Sequence, residues 1–173
     1  MRYFLSLLFL CPIIGIAQKA DSIISKGQLV GVWQLKTSKI GDALHENFRF
    51  YQDGQFSYNF SQYDDVSRVL ALNGNYRLIG NQLYTSVTSR EELTGGYFTI
   101  GSPGFQSSPF VLEGATIKTI PQDDSTSKND YFFLSSLVFN KAGRIISIQI
   151  NGNKYYKISD NPRAFSQVKA KSN

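Results

Sequence analysis

Residues 56–61 alternate with a period of two: Phe56, Tyr58 and Phe60 against Ser57, Asn59 and Ser61. Only an extended strand sends such neighbours to opposite faces, so one face is apolar and the other polar. Residues 44–51 repeat the pattern, with Leu44, Phe48 and Phe50 on one face and His45, Asn47 and Arg49 on the other. Between the two runs lies Gln52-Asp53-Gly54-Gln55, where Asp-Gly supplies the positive φ of a tight primed hairpin turn. Residues 29–37, 68–79, 82–88, 97–100, 110–120, 131–139, 144–150 and 153–158 read as further strands. Gly41-Asp42, Gly80-Asn81, Lys141-Ala142-Gly143 and Asn151-Gly152 are the turns between them. This predicts nine or ten strands and no helix of any length. Ten tyrosines and thirteen phenylalanines against one methionine agree with it.

A series of strands joined by short turns pairs each strand with the next, and its two edges must then be dealt with. Closing the sheet into a barrel removes them, whereas a two-layer sandwich needs longer crossovers. The expected fold is therefore all-β, an antiparallel up-and-down β-barrel of eight to ten strands. Residues 19–26, with Ile23 and Ile24 as an apolar pair, read as a short helical turn that closes its lower end. Residues 29–35 open the barrel. There Gly31 permits close approach of a neighbouring segment, and Trp33, the single tryptophan, plugs one end. Two stretches break the regularity. Residues 89–109 are dense in glycine and proline and read as a long loop at the barrel mouth, and residues 122–130 read as a polar loop.

Ahead of the first strand, Arg2 and the apolar run of residues 3–16 end in Gly15-Ile16-Ala17. This is the pattern of a secretory signal peptide over residues 1–17, cut after Ala17. It implies a periplasmic or secreted protein with no stable membrane insertion after cleavage. The remaining 156 residues, 18–173, suit a single domain. Cys11 would leave with the leader, so the core must fold without disulfides. Loss of Arg2 lowers the formal charge from +5 to +4, and the basic residues are scattered. A nucleic-acid surface gathers them into a stripe, so no nucleic acid is expected.

Gly31-Val32-Trp33, Phe50-Tyr51-Gln52-Asp53-Gly54-Gln55-Phe56 and Gly74-Asn75-Tyr76-Arg77-Leu78-Ile79-Gly80-Asn81-Gln82-Leu83 together resemble the bacterial secreted lipocalin-like proteins. The likeness spans residues 29–87. It implies a calycin-type barrel open at one end, in which Gly31, Trp33, Asp53, Gly54, Gly74 and Tyr76 are structural motif residues. It also implies carriage of small apolar molecules. Lipocalins carry a Thr-Asp-Tyr motif and a late arginine packed on the tryptophan; Asn129-Asp130-Tyr131 partly echoes the first, and Arg144 is the candidate for the second.

By strand parity Phe48, Phe50, Phe56, Tyr58, Phe60, Leu72, Tyr76 and Leu78 face inward and are the candidate ligand-binding residues. In a barrel of about eight strands such side chains either fill the interior or leave room for one small ligand. Two functions remain open. One is non-covalent binding of a small hydrophobic or amphipathic ligand. The other is a cell-envelope interaction module with a filled barrel. Catalysis is not expected. His45 is the only histidine and lies on the outer face, which also argues against a haem ligand. Asp64-Asp65, Glu91-Glu92 and Asp123-Asp124 are adjacent acids that a strand would point apart. Asp123, Asp124 and Asp130 lack the alternating ligands of a calcium loop, so neither a metal nor another cofactor is expected.

Overall fold

The computed structural model describes residues 23–41, 43–64, 67–100, 110–122 and 129–165. The expected leader and residues 19–22 of the expected helical turn at residues 19–26 lie outside them, and of residues 23–26 only Lys26 is helical. A four-residue helix α1 (Lys26–Leu29) precedes nine strands: β1 (Gly31–Leu35), β2 (Asn47–Phe50), β3 (Gln55–Asn59), β4 (Val69–Ile79), β5 (Gln82–Ile100), β6 (Phe110–Pro121), β7 (Asn129–Phe139), β8 (Ile145–Ile150) and β9 (Asn153–Ser159). Every pairing is antiparallel. The order β4-β3-β2-β1-β9-β8-β7-β5 is closed by β4 against β5, which makes a ring of eight strands. β6 stands outside the ring and pairs only with β5.

Ring closure depends on β5 serving three partners. Its first residues, Gln82–Ser86, pair with β7 on one side. Farther along, Ser89–Ile100 pair with β6, while β4 follows on the opposite side from Ile79↔Gln82 to Val69↔Glu92. Beyond Leu93 only β6 remains, so the two strands leave the barrel as a ribbon roughly 25 Å long at the usual rise per residue. Residues 89–96 are thus strand and not the loop expected from their glycines, and they run without a break into the strand expected at 97–100. Gly95, Gly96 and Gly114 take φ of +72°, +73° and +69°, which bends the ribbon without ending its pairing. A Cβ on Gly96 would lie 2.6 Å from the Glu113 carbonyl oxygen, so this bend requires glycine. Arg68 braces the base of the ribbon, with Nη1 2.9 Å from the Gly95 carbonyl oxygen and the guanidinium 5.6 Å above the Phe98 ring.

The turn at Asp53-Gly54 also differs from expectation. Only Gly54 has positive φ (+94°); its N–H donates to the Tyr51 carbonyl, and Asp53 Oδ1 accepts from the Gln55 N–H. A type I′ turn needs both of its central residues left-handed, a condition that Asn151 and Gly152 meet instead (φ 47° and 79°).

The lower end of the barrel is packed solid. Ser25 caps α1, and the Gln28 side chain returns the bond to the Ser25 N–H. That geometry turns Leu29 and Ile24 inward onto Trp33, Phe50, Tyr76 and Leu83, all of them buried. The Ile24 N–H donates to Asn81 Oδ1 in the β4–β5 turn, and the Trp33 indole donates to the Leu29 carbonyl at 2.6 Å. Outside the ring, Val32, Gln34, Asn47 and Arg49 are nevertheless buried. Arg49 donates to the carbonyls of Pro162, Ala164 and Phe165, which folds the turn after β9 over β1 and β2. Burial lowers the pKa of Arg49 from its ordinary value.

Candidate functional site

Phe48 divides the interior. Below, it stacks on Phe50 at 5.4 Å; above, it meets Tyr58 at 4.7 Å, Tyr155 at 5.4 Å and Phe132 at 6.2 Å. Above it lies a cavity of about 350 Å³, bounded by Phe48, Phe56, Tyr58, Leu72, Thr85, Val87, Asp130, Phe132, Ile150, Asn151, Asn153 and Tyr155. The volume falls at the small end of the range for ligand sites, and the wall has the usual mixture of apolar rings and a few polar tips.

Each wall residue is placed by strand pairing. Phe48 faces Tyr58 across β2 and β3, Tyr58 faces Leu72 across β3 and β4, and Phe56 faces Gly74. Gly74 has no side chain to fill this region, and a Cβ there would collide with the Ser86 carbonyl oxygen. Val87 stands opposite Gly74, and Thr85 stands opposite Tyr76 and Asp130. On the far wall Ile148 faces Tyr155, and the Asn151-Gly152 turn brings Asn151 and Asn153 to the opening.

The polar tips are organised around Glu46. The Tyr58 hydroxyl donates to Glu46 Oε2 at 2.9 Å. Burial raises the Tyr58 pKa above its usual value, helped by that bond and by the charges of Tyr155 and Glu46. Tyr155 is pushed up to about 12, first by burial and then by the Glu46 charge, while its bond with Tyr58 acts the other way. Both hydroxyls thus stay protonated and available as hydrogen-bond groups.

Of the eight side chains expected to bind a ligand, Phe48, Phe56, Tyr58 and Leu72 line this cavity. Phe50 and Tyr76 belong to the packed lower core, their rings edge to face at 5.1 Å, and the Tyr76 hydroxyl donates to the Tyr51 carbonyl. Burial pushes Tyr76 up to about 12. Leu78 packs against the same core, and Phe60 stands edge-on to Tyr58 at 5.3 Å, away from the cavity wall. Thr85, Val87, Asp130, Phe132, Ile150, Asn151, Asn153 and Tyr155 are the wall residues that sequence reasoning passed over. Extending the parity of β4 across to β5 and β7 would have found Thr85, Val87, Asp130 and Phe132.

Outside the cavity, His45 is exposed and tilts over Tyr63 at 4.8 Å. Glu91 accepts from the Asn73 amide and Glu92 from Arg90, so neither acid turns toward the interior wall. Asp65, Asp123 and Asp124 lie outside the described residues. Among the described residues no three His, Cys, Asp or Glu side chains gather as metal ligands. Lys157, and not Arg144, covers the Trp33 ring: its ammonium is 5.4 Å from the ring centroid, anchored by Asp160 at 2.7 Å and the Gln28 carbonyl at 3.1 Å. Arg144 is exposed beside Asp160, because it sits in the turn before β8 while Lys157 pairs directly with Trp33 in β9.

No family model, curated protein or solved structure matches this chain.

Proposed function

We propose that this protein is an exported barrel of lipocalin-like type that binds one small hydrophobic or amphipathic molecule non-covalently. The observation that carries the reading is the cavity of about 350 Å³ above Phe48, with five aromatic side chains in its wall. A sealed lower end supports it, since packing from Ile24 to Leu83 leaves the upper end as the way in. The leader pattern of residues 1–17 supports export. The chain from residue 18 onward, titrated with the neutral dye N-phenyl-1-naphthylamine, is expected to saturate near one equivalent. Trp33, the single indole, transfers excitation to dye held above it. Linear, non-saturating uptake would remove the reading.

A protein-interaction role in the cell envelope is the second reading, and the β5–β6 ribbon favours it. Tyr97, Phe98, Ile100 and Ile117 are 50–83% exposed there, more apolar surface than a free-standing ribbon needs. Crosslinking from a photoreactive residue at position 97 in the native host tests it, and a protein adduct that depends on the ribbon is the result expected.

A further inference from the structure

The cavity reverses the charge of its own protein. The chain carries a formal charge of +5, yet none of the twelve residues around the cavity is lysine, arginine or histidine. Asp130 is the one wall residue with a formal charge. It is exposed on its solvent side, and among the described residues no cation pairs with its carboxylate. A second carboxylate, Glu46, stands directly behind the wall on the Tyr58 hydroxyl, and its charge also acts on Tyr155. Negative charge therefore reaches the cavity from two places, β7 and the residue leading into β2.

The remaining wall suits a cation as well. Phe48, Phe56, Tyr58, Phe132 and Tyr155 line it, and three of these rings, Tyr58, Phe132 and Tyr155, meet Phe48 at centroid distances of 4.7–6.2 Å. Aromatic faces attract ammonium groups through the ring quadrupole, and more strongly once the cation has left water. Thr85, Asn151 and Asn153 add neutral oxygens that can accept from an N–H. A carboxylate ligand would meet the same rings and oxygens, but with two like charges nearby and, among the described residues, no cation on the wall to receive it.

From the joining of an aromatic wall to Asp130 and Glu46 we infer that the cavity takes a small organic ammonium: an apolar body whose cationic head lies beside Asp130. This rests on the ligand-binding reading above and narrows its ligand class.

The test compares three probes by calorimetry on the chain from residue 18 onward. Phenethylammonium and 3-phenylpropionate share a shape and differ in sign, and N-phenyl-1-naphthylamine is neutral. The ammonium is expected to bind at least about tenfold tighter than the carboxylate, the effect of one well-placed charge at a partly solvated site. In D130N that ratio falls to about threefold or less, and in E46Q/D130N it disappears. Melting temperatures of both variants verify folding, and Gln at 46 still accepts from Tyr58. Equal or tighter binding of the carboxylate overturns this inference while leaving the binding function intact if the neutral dye saturates. A preference that survives in E46Q/D130N overturns the assignment to these carboxylates. Failure of all three probes to bind overturns both this inference and the function on which it rests.

Discussion

Gly74 shows how much of this barrel is decided by one missing methyl group. Its backbone lies so close to the Ser86 carbonyl and the Val87 Cα that a Cβ would overlap both, and the β4–β5 register shifts there. Neither neighbour can rotate away, since both obstacles belong to the backbone of β5. Gly74→Ala is expected to cost about 1–3 kcal/mol, the usual range for overpacking a tight site, read as a lower urea midpoint with an unchanged slope. Gly31 is the counterpart on the other wall. It has φ +131° and sits where β9 shifts register against β1, against the Ser159 carbonyl. The sequence exposed Gly31 because it interrupts an apolar strand, where a side-chain-free residue signals close backbone approach, whereas Gly74 stood out only as a motif residue of the resemblance. Lys157 was not legible in the same way. Its contact with Trp33 depends on the register of two strands separated by most of the chain, and a bulge within that pairing sets which residue arrives over the ring.

At the scale of elements, alternation located eight strands of the ring, most of them by the contrast between an apolar inward face and a more polar outward one, although β1 and β2 are buried on both faces. It failed where that contrast fades. In β5 beyond Glu92 both faces meet solvent, so residues 93–96 carry no core signal and their glycines read as part of a loop around the short strand at 97–100. The cavity wall was half legible for a related reason. Phe48, Phe56, Tyr58 and Leu72 sit in regular hairpins, whereas Asn151 and Asn153 flank a turn where parity restarts. Because β4, β5 and β7 close the ring through residues 69–92 of the first two and 82–86 of β5, the ribbon beyond them is separable from the barrel. Thr94 and Thr116 face each other, with Thr94 Oγ1 3.3 Å from the Thr116 carbonyl oxygen, so an Asn-Gly turn can join them. Replacing residues 95–115 by Asn-Gly is expected to leave the melting temperature within a few degrees and to raise solubility, because Tyr97, Phe98 and Ile100 leave with the ribbon. Loss of cooperative melting in that variant would mean that the ribbon is part of the folding unit.

For the molecule as a whole, three tyrosines tie stability to alkaline pH. Tyr76 and Tyr155 titrate near 12 in the fold and Tyr58 is raised as well, all three chiefly because burial disfavours phenolate, against 10.0 for an unfolded tyrosine. Below pH 10 both states hold these protons, and the contribution is complete and flat. Between about 10 and 12 the unfolded chain releases them while the fold retains them, so stability falls as pH rises through that window. Tyr155→Phe isolates one of the three, because it keeps the ring beside Phe48 and removes one ionisable group. The variant is expected to show a shallower fall in urea midpoint across the window than the parent chain. In the parent, the tyrosinate absorbance of Tyr58, Tyr76 and Tyr155 should appear only as the barrel opens. A single rise complete near pH 10, with the fold intact, would mean that water reaches Tyr58 and Tyr155 freely. The aromatic wall above Phe48 would then be wet, and the desolvated cavity on which ligand binding depends would not exist.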